Sequence, residues 1–331
     1  MSWSRRRMTL GLLASASCGS SEDLGRAQTP PTAPVSAWRR ALGPVDDLAP
    51  EHASWLLDAR AYAQTDARTL AIARRHGERS QGVDEHLAAA PNPVVDGRST
   101  LVVQPLGGFP FDVIEGNDFV GLVRTPPLAD LAAVLAATFG LAVEVLPARP
   151  LVLDSVSGRT RRGFTQLDAQ SVLHSVAAEL PPHAYAMLTL VNHDLYALPE
   201  QDYAFGWSLH RDRQGVASFA RFDPSFHGGL RPDDLEQAIL RRSVRLLLHE
   251  CAHMFGLTHC TYFRCALGPI DVLADLDARP PYPCPVCQCK LLRSAGVDPI
   301  AAVRRSVAVF AQLGLHDEAA WGRRRLEGTT A

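Results

Sequence analysis

The stretch that decides how this chain is interpreted runs from residue 249 to residue 265 and reads HECAHMFGLTHCTYFRC. Its first two histidines, His249 and His253, are four positions apart, so on a helix they share one face and lie one turn from each other. Two imidazoles in that arrangement can bind one zinc ion. The stretch around them, AILRRSVRLLLHECAHMFGL, has apolar residues at helical spacing, which predicts the helix itself.

The neighbours of this pair indicate a catalytic zinc site. Glu250 is rotated about 100° from His249 around the helix, where it can act as a general base without binding the metal. Gly256 can adopt the positive φ that ends a helix, and the turn would return His259 as the third ligand. Three protein ligands leave one position for water, as in catalytic sites. The alternative is a chance match to the short motif, and the added glycine and histidine argue against it.

Four of the seven cysteines form two close pairs, Cys260 with Cys265 and Cys284 with Cys287. A pair followed by a pair is typical of a closed, structural zinc site with four thiolate ligands. Two disulfides and reduced buried thiols are the alternatives. The C-x-x-C spacing favours zinc, because such a pair is strained as a direct bridge. His259 and Cys260 are thus predicted to be neighbouring ligands of two different metal ions.

Other reactive side chains are interpreted as structural. Cys251 is predicted to be an ordinary buried thiol. Cys289 could replace Cys287 as a ligand, but the C-x-x-C spacing favours Cys287. Tyr262 could stabilise an oxyanion, although a packed loop tyrosine is the commoner case. Three further histidines are predicted to be surface or hydrogen-bonding groups: His193, His210 and His227.

Taken together, these residues resemble a known family. The pattern H-E-x-x-H-x-x-G-x-x-H-C-x4-C, followed by C-x-x-C, is similar to that of the archaemetzincins, which are zinc-dependent metallopeptidases, and the resemblance extends over about residues 99–328. It implies that the three histidines bind catalytic zinc, that Glu250 is the base and that the four cysteines bind a second zinc ion. This chain has Leu267 where the family has the methionine of the Met-turn. Leucine has nearly the same volume, and such exchanges usually cost less than about 1.5 kcal/mol.

The apolar pattern from residue 100 onward predicts an α/β fold of the α+β type. Its order indicates a twisted mixed sheet backed by helices, then an active-site helix from about Pro232 and a C-terminal helical region with the four-cysteine site. The metzincin resemblance implies a zincin domain with zinc in a cleft below one edge of the sheet. The segment GVASFARF, around Val216 to Arg221, is predicted to be the edge strand that binds an extended substrate. The predicted strands are TLVVQPL, LAVEVLP, AYAMLTLVN, AFGWSLH and GVASFARF, and the helices between them are PLADLAAVLAATFG and LDAQSVLHSVAAEL.

Three regions are predicted along the chain. Residues 1–37 are interpreted as a flexible segment with the shape of a signal or targeting sequence, in which basic residues and a short apolar run precede Cys18. Residues 38–95 are predicted to be a helical extension, and residues 96–331 the metzincin-like catalytic domain. The shortness of the apolar run and the clustered thiolates favour the cytoplasm, and the family resemblance implies the same. Export or lipid anchoring through residues 1–18 is the alternative.

The composition is that of a soluble globular protein, with 47% apolar and 21% charged residues. A net charge of −2 gives no support to nucleic-acid binding, and no apolar run approaches the ~20 residues of a membrane span. The predicted function is a monomeric zinc peptidase with a peptide or protein substrate and two zinc ions per chain. In this mechanism Glu250 takes the proton of zinc-bound water.

Two other functions compete with this prediction. One is a catalytically silent zinc scaffold of the same fold, which the intact Glu250 argues against. The other is a zinc ribbon that binds nucleic acid. That function requires clustered basic residues, whereas the segment between the cysteine pairs, ALGPIDVLADLDARPPYP, is acidic.

Overall fold

A five-stranded mixed sheet carries the candidate site. The computed structural model describes residues 36–109, 111–116 and 119–328. In this range the strands are β1 (Thr100–Pro105), β2 (Phe111–Gly116), β3 (Phe119–Arg124), β4 (Ala142–Val145), β5 (Gly158–Arg161), β6 (Phe164–Asp168), β7 (Ala184–Val191), β8 (Asp194–Tyr196), β9 (Gly206–Leu209) and β10 (Gln214–Ser218).

The order of strands in the main sheet is β4-β1-β7-β10-β9. The pairs β1–β4, β1–β7 and β7–β10 are parallel, and β9 runs antiparallel to β10. Every residue of β7 is buried, because this central strand has neighbours on both sides and is covered on both faces. The predicted α/β fold with a mixed sheet is confirmed.

The predicted edge strand is wrong. The strand β10 lies between β7 and β9, and all five of its residues are buried. After Ser218 the chain leaves the sheet and enters a short 3₁₀ helix, Ala220–Phe222. The edge next to α7 is formed by β9, whose residues are partly exposed. A run of small and apolar residues fits an internal strand as well as an edge strand, and the sequence pattern alone does not give the order of strands.

Two smaller sheets were not predicted. The strands β2 and β3 form an antiparallel hairpin, and β5, β6 and β8 form a three-stranded sheet. Further 3₁₀ turns occur at Leu153–Ser155, Ala177–Glu179 and Pro224–His227.

The helices surround the main sheet, and the predicted ones are present with shifted ends. The helix that carries His249 packs against β9 and β10. In the described residues the helices are α1 (Ala37–Leu42), α2 (Pro50–Leu57), α3 (Ala67–Arg75), α4 (Val83–Ala88), α5 (Leu128–Phe139), α6 (Ala169–Val176), α7 (Leu235–Met254), α8 (Leu273–Asp277), α9 (Pro285–Ala295), α10 (Pro299–Gln312) and α11 (His316–Glu327).

The N-terminal helices pack against the region that carries the cysteines. The helices α1, α2 and α4 all contact α9. Trp55 of α2 is fully buried, and its indole N–H donates to Oε1 of Gln288 at 2.8 Å. Residues from Ser36 onward belong to one compact unit. The division of this unit at residue 96 stays a prediction.

None of the helices in the described part is both long and apolar enough to cross a membrane. The predicted targeting segment with Cys18 lies almost wholly in residues 1–35, outside the described residues. The cellular compartment therefore stays a prediction.

Candidate metal centre

The last turns of α7 carry His249 and His253 on one face, and the chain reverses directly after the helix. Gly256 has a φ of 82°, the left-handed conformation that glycine adopts at little cost. A side chain at Gly256 would also crowd Pro91, whose Cβ lies 3.2 Å from where the added Cβ would be. This turn brings His259 back toward the helix, as the spacing predicts.

The three predicted histidines converge on one point. Nε2 of His249 lies 3.0 Å from Nε2 of His253 and 3.2 Å from Nε2 of His259. His249 is buried, and the other two rings are partly buried. Tetrahedral zinc with Zn–N bonds of about 2.0–2.1 Å would separate such nitrogens by about 3.3–3.4 Å. The spacing of the three atoms therefore fits one zinc ion.

Each of the three rings is oriented through its other nitrogen. Nδ1 of His249 donates to the Ala266 carbonyl at 2.8 Å, and Nδ1 of His253 donates to the Leu257 carbonyl at 2.6 Å. Nδ1 of His259 donates to Oε2 of Glu78 at 2.7 Å. When Nδ1 carries the proton, Nε2 presents its lone pair, which is the form that binds a metal.

The protonation states agree with this orientation. Burial lowers the pKa of His249 well below its ordinary value and the pKa of His253 to about 3. Both rings are therefore neutral at physiological pH. Lone pairs this close repel each other unless a cation lies among them, so the donor set fits a metal ion.

Glu250 points from α7 toward the edge strand β9. Its Oε2 accepts a hydrogen bond from the Ser208 hydroxyl at 2.7 Å. At Gly206 there is no room for a side chain, because a Cβ there would overlap the Glu250 carboxyl group. Burial raises the pKa of Glu250 to about 7, and the Ser208 hydrogen bond partly opposes this shift. A carboxyl group with this pKa can accept and return a proton near neutral pH.

The four predicted cysteines also converge, in the core of the protein. Sγ of Cys260 lies 3.6 Å from Sγ of Cys284, and Sγ of Cys265 lies 3.8 Å from Sγ of Cys287. Their side chains are between 0% and 2% exposed. Zn–S bonds of about 2.3 Å in a tetrahedron give S···S distances of about 3.8 Å, so this set also fits zinc. A disulfide requires about 2.05 Å, and all four residues are free thiols in this structure.

The helix α9 favours thiolates at this place. Cys284 is its N-cap residue and Cys287 lies in its first turn, where the positive end of the helix dipole stabilises negative charge. The backbone N–H of Cys284 also donates to Sγ of Cys265 at 3.2 Å. Burial raises the pKa of Cys284 well above its ordinary value, whereas hydrogen bonds from the other three cysteines lower the pKa of Cys260. A cation among the four sulfurs would stabilise all of them as thiolates.

The residues that were interpreted as structural lie outside both donor sets. Cys251 and Cys289 are buried free thiols, and burial raises the pKa of both. The Tyr262 hydroxyl donates to the Ser80 carbonyl at 3.3 Å, so it is engaged in packing the loop. Within the described residues, the groups able to hold a metal do not include three other histidines: His193, His210 and His227.

A short link, residues 265–267, joins the two donor sets. It begins with Cys265, and the carbonyl of Ala266 orients His249. The carbonyl of Leu267 accepts the N–H of Cys260 at 2.8 Å. The Leu267 side chain is fully buried in the core cluster that includes the cysteines, so leucine fills the position where the family has methionine.

Three residues near Glu250 and His259 were missed in the sequence. Ser208 and Gly206 alternate on β9 and therefore face the same side, but nothing in the sequence shows that this side meets Glu250. Glu78 is separated from His259 by 181 positions, and no motif joins them. A carboxylate partner for a metal-binding histidine is a general expectation, but it does not identify which carboxylate.

The fold and the two donor sets define a class of protein, a mixed α/β domain with a helix-borne three-histidine centre and a separate four-cysteine centre. Residues 183–293 match Peptidase family M54. The chain is 35% identical over 114 residues to an archaemetzincin of Thermococcus kodakarensis, covering 34% of this chain and 59% of the relative. It is 26% identical over 182 residues to Archaemetzincin-2 of Homo sapiens, covering 48% of this chain and 51% of the relative.

A crystal structure of an archaemetzincin from Methanopyrus kandleri has 25% identity and a TM-score of 0.45, over 60% of this chain and 96% of that one. The chain spans between half and three fifths of the length of the two relatives named above. The resemblance to the archaemetzincins is confirmed: the segment 183–293 matches Peptidase family M54, and both relatives are archaemetzincins.

Proposed function

We propose that this chain is a zinc-dependent peptidase in which His249, His253 and His259 hold the catalytic zinc ion and Glu250 is the general base. The observation that carries the proposal is the convergence of three Nε2 lone pairs, with Nε2 of His249 3.0 Å and 3.2 Å from those of the other two histidines. The buried carboxyl group of Glu250 lies on the same helix. The match to a peptidase family supports it. Zinc at this place would supply a Lewis acid that polarises a carbonyl oxygen and acidifies water.

Glu250 would move the proton. With a pKa of about 7, its carboxylate can take a proton from the attacking water and return it to the leaving amine. The Ser208 hydroxyl, 2.7 Å from Oε2, would hold the carboxylate in one orientation during both transfers. Because Glu250 is buried against β9, it is shielded from bulk water, which would otherwise compete for the proton.

The substrate would bind along β9. An edge strand exposes unpaired N–H and C=O groups, and an extended peptide can add to it as a further strand. The Cα of Gly206 and the side chain of Ser208 face Glu250, so a peptide beside this strand would have its backbone near the base. The edge strand β9 thus takes the substrate-binding role that the sequence pattern suggested for β10, because β10 lies inside the sheet.

The four cysteines would hold a second, structural zinc ion. Four thiolates fill all positions of a tetrahedral ion and leave none for water or substrate. Because the four sulfurs are buried in the core cluster, zinc bound there would contribute to folding. The predicted content is therefore two zinc ions per chain, which elemental analysis of the freshly purified protein measures.

A peptide-library cleavage assay tests the activity on protein whose zinc content has been measured. Cleavage that disappears on chelation and returns with zinc is the expected result. A matched pair of variants, His259→Ala and His227→Ala, separates the proposed ligand from a histidine outside the donor set. A protein with two zinc ions and no cleavage of any library peptide would instead be the silent zinc scaffold, and the peptidase proposal would then be wrong.

A further inference from the structure

The third histidine is held by a part of the chain far from it in sequence. Residues 76–82, here called the strap, connect α3 to α4. Oε2 of Glu78 accepts the Nδ1–H of His259 at 2.7 Å. Two residues further along the strap, the Ser80 hydroxyl accepts the backbone N–H of Thr261 at 2.7 Å, and the Ser80 carbonyl accepts the Tyr262 hydroxyl. The strap therefore holds the loop that carries His259 at three points.

The three histidines differ in what orients them. His249 and His253 belong to α7, and the acceptors of their Nδ1 protons are backbone carbonyls. His259 lies in a loop, its side chain is 25% exposed, and its acceptor is a carboxylate. The ligand with the weakest local support thus has the only charged acceptor of the three. A carboxylate also raises the basicity of the imidazole that it contacts, which strengthens metal binding.

The strap is itself fixed in place. The backbone N–H of Glu78 donates to the Ala73 carbonyl at the end of α3 at 2.8 Å. The helix α3 is attached to the segment after the link through the ion pair of Arg68 with Asp275. At the other end of the strap, Gln81 accepts a hydrogen bond from the buried Lys290 of α9 at 3.1 Å. Glu78 is therefore presented to His259 by anchored structure on both sides.

We propose that Glu78 is a positioning residue for the catalytic zinc site, and that the N-terminal helices serve to present it. The proposal rests on the proposed function of the three histidines. It assigns a role to the helical extension: these helices hold the strap against the third ligand. Loss of the carboxylate would leave the His259 ring free to turn, so the site would bind zinc less tightly while all three ligands remained.

The test compares Glu78→Ala and Glu78→Gln with Glu51→Gln, a control on the exposed face of α2. Zinc retained by each protein is measured at equilibrium against a chromophoric chelator at increasing concentration. The His259→Ala variant identifies which release step belongs to the histidine set. Circular dichroism and thermal unfolding show whether each variant is folded.

The expected result is an affinity at the histidine set about 10–100-fold lower in Glu78→Ala, the usual effect of removing such a partner. Glu78→Gln should lie between this variant and the wild type, because its amide oxygen still accepts a hydrogen bond but carries no charge. The release step of the cysteine set and the Glu51→Gln control should not change. A purely structural role would weaken both steps and would not be rescued by glutamine.

Equal affinity in Glu78→Ala and wild type, with both proteins folded, would overturn the positioning role and leave the peptidase proposal intact. If His259→Ala and the wild type released the same amount of zinc at every chelator concentration, the histidines would hold no zinc. In that case the proposed function would be wrong, and the role of Glu78 with it.

Discussion

The histidine set takes two of its three donors from one helix and the third from a loop, whereas the cysteine set takes two donors from that loop and two from the start of α9. The cysteines are 0–2% exposed, but the His259 side chain is 25% exposed. The buried cysteine set has the composition of a structural zinc site, and the partly exposed histidine set has that of a catalytic zinc site. Since residues 265–267 contact both, the comparison raises the question of how far one depends on the other.

The largest effect, the loss of one zinc ion and of its contribution to folding, is expected when the cysteine set is broken. Cys284→Ser should weaken or abolish zinc binding there, because serine is a poor zinc ligand, and the loop from His259 to Cys287 should loosen. The Ala266 carbonyl would then hold His249 less firmly, so activity should be lost at a chelator concentration at least about 10-fold lower. A chelator titration of activity measures this, with circular dichroism to check the fold.

Cys289→Ser is the matched control for that experiment. Cys289 is a buried thiol on the same helix but lies outside the donor set. It should keep both zinc ions and the wild-type chelator response. If Cys284→Ser and wild type lost activity at the same chelator concentration, the two sets would be independent and the link without consequence.

The next largest effect should separate chemistry from metal binding. Glu250→Gln is nearly isosteric but cannot accept a proton, so peptide hydrolysis should fall by at least ~10²-fold. Zinc content and thermal stability should stay those of the wild type. Glu236→Gln, an exposed glutamate on the same helix, is the control and should hydrolyse peptides normally. Wild-type hydrolysis by Glu250→Gln would contradict the assignment of the base.

A smaller effect is expected from a substitution in the edge strand β9, and only the histidine set should be affected. Gly206→Ala places a methyl group where the Glu250 carboxyl group lies, so this side chain must shift. A displacement of this kind should lower kcat/KM by about 10–100-fold, because the proton acceptor is moved away from the attacking water. Zinc retention by the cysteine set should not change.

Gly328→Ala serves as the control for Gly206→Ala, since an added Cβ there meets its neighbours only at ordinary contact distances of 3.7 and 3.9 Å. Steady-state kinetics of both variants give the comparison. Normal kinetics in Gly206→Ala would mean that the carboxyl group has room to move without loss of function.

The smallest effect is expected at the border of the two sets. Leu267→Met restores the residue of the family pattern in a fully buried position. Because the two side chains have similar volumes, the change in unfolding free energy should be below about 1.5 kcal/mol, while Leu267→Ala should cost roughly 2–5 kcal/mol. Thermal unfolding measures both. A large gain in hydrolysis in Leu267→Met, with unchanged stability, would show that methionine has a chemical role which leucine lacks.

The sequence predicted the parts of the candidate site that depend on local spacing. The helical pair His249 and His253, the turn at Gly256 and the four-cysteine set all follow from short-range patterns, and the structure brings these residues together. The edge strand was not predicted correctly, because β9 and β10 both have the sequence pattern of strands and only the pairing of β10 with β7 makes β10 internal. Glu78 was missed because its contact with His259 joins distant parts of the chain.

The helix α9 was also missed in the sequence, because its contacts too join distant parts of the chain. The C-x-x-C pattern at its start predicts zinc ligands, but the sequence pattern does not predict the helix that continues from them. Buried Gln288 and Lys290 interrupt the apolar pattern on this helix. Both are hydrogen-bonded to the N-terminal region, Gln288 to Trp55 and Lys290 to Gln81. When buried polar residues bond to distant parts of the chain, a buried helix lacks the regular apolar spacing by which the sequence would predict it.

The distance of 181 positions between Glu78 and His259 has a consequence for synthesis of the chain. At about 5–20 residues per second on the ribosome, roughly 10–35 s pass between the two residues. For all of that time the N-terminal helices and the strap exist without the histidine that they hold, and the second pair of cysteines follows later still. The candidate histidine centre therefore cannot form before residue 259 has been synthesised, well after the strap and the N-terminal helices.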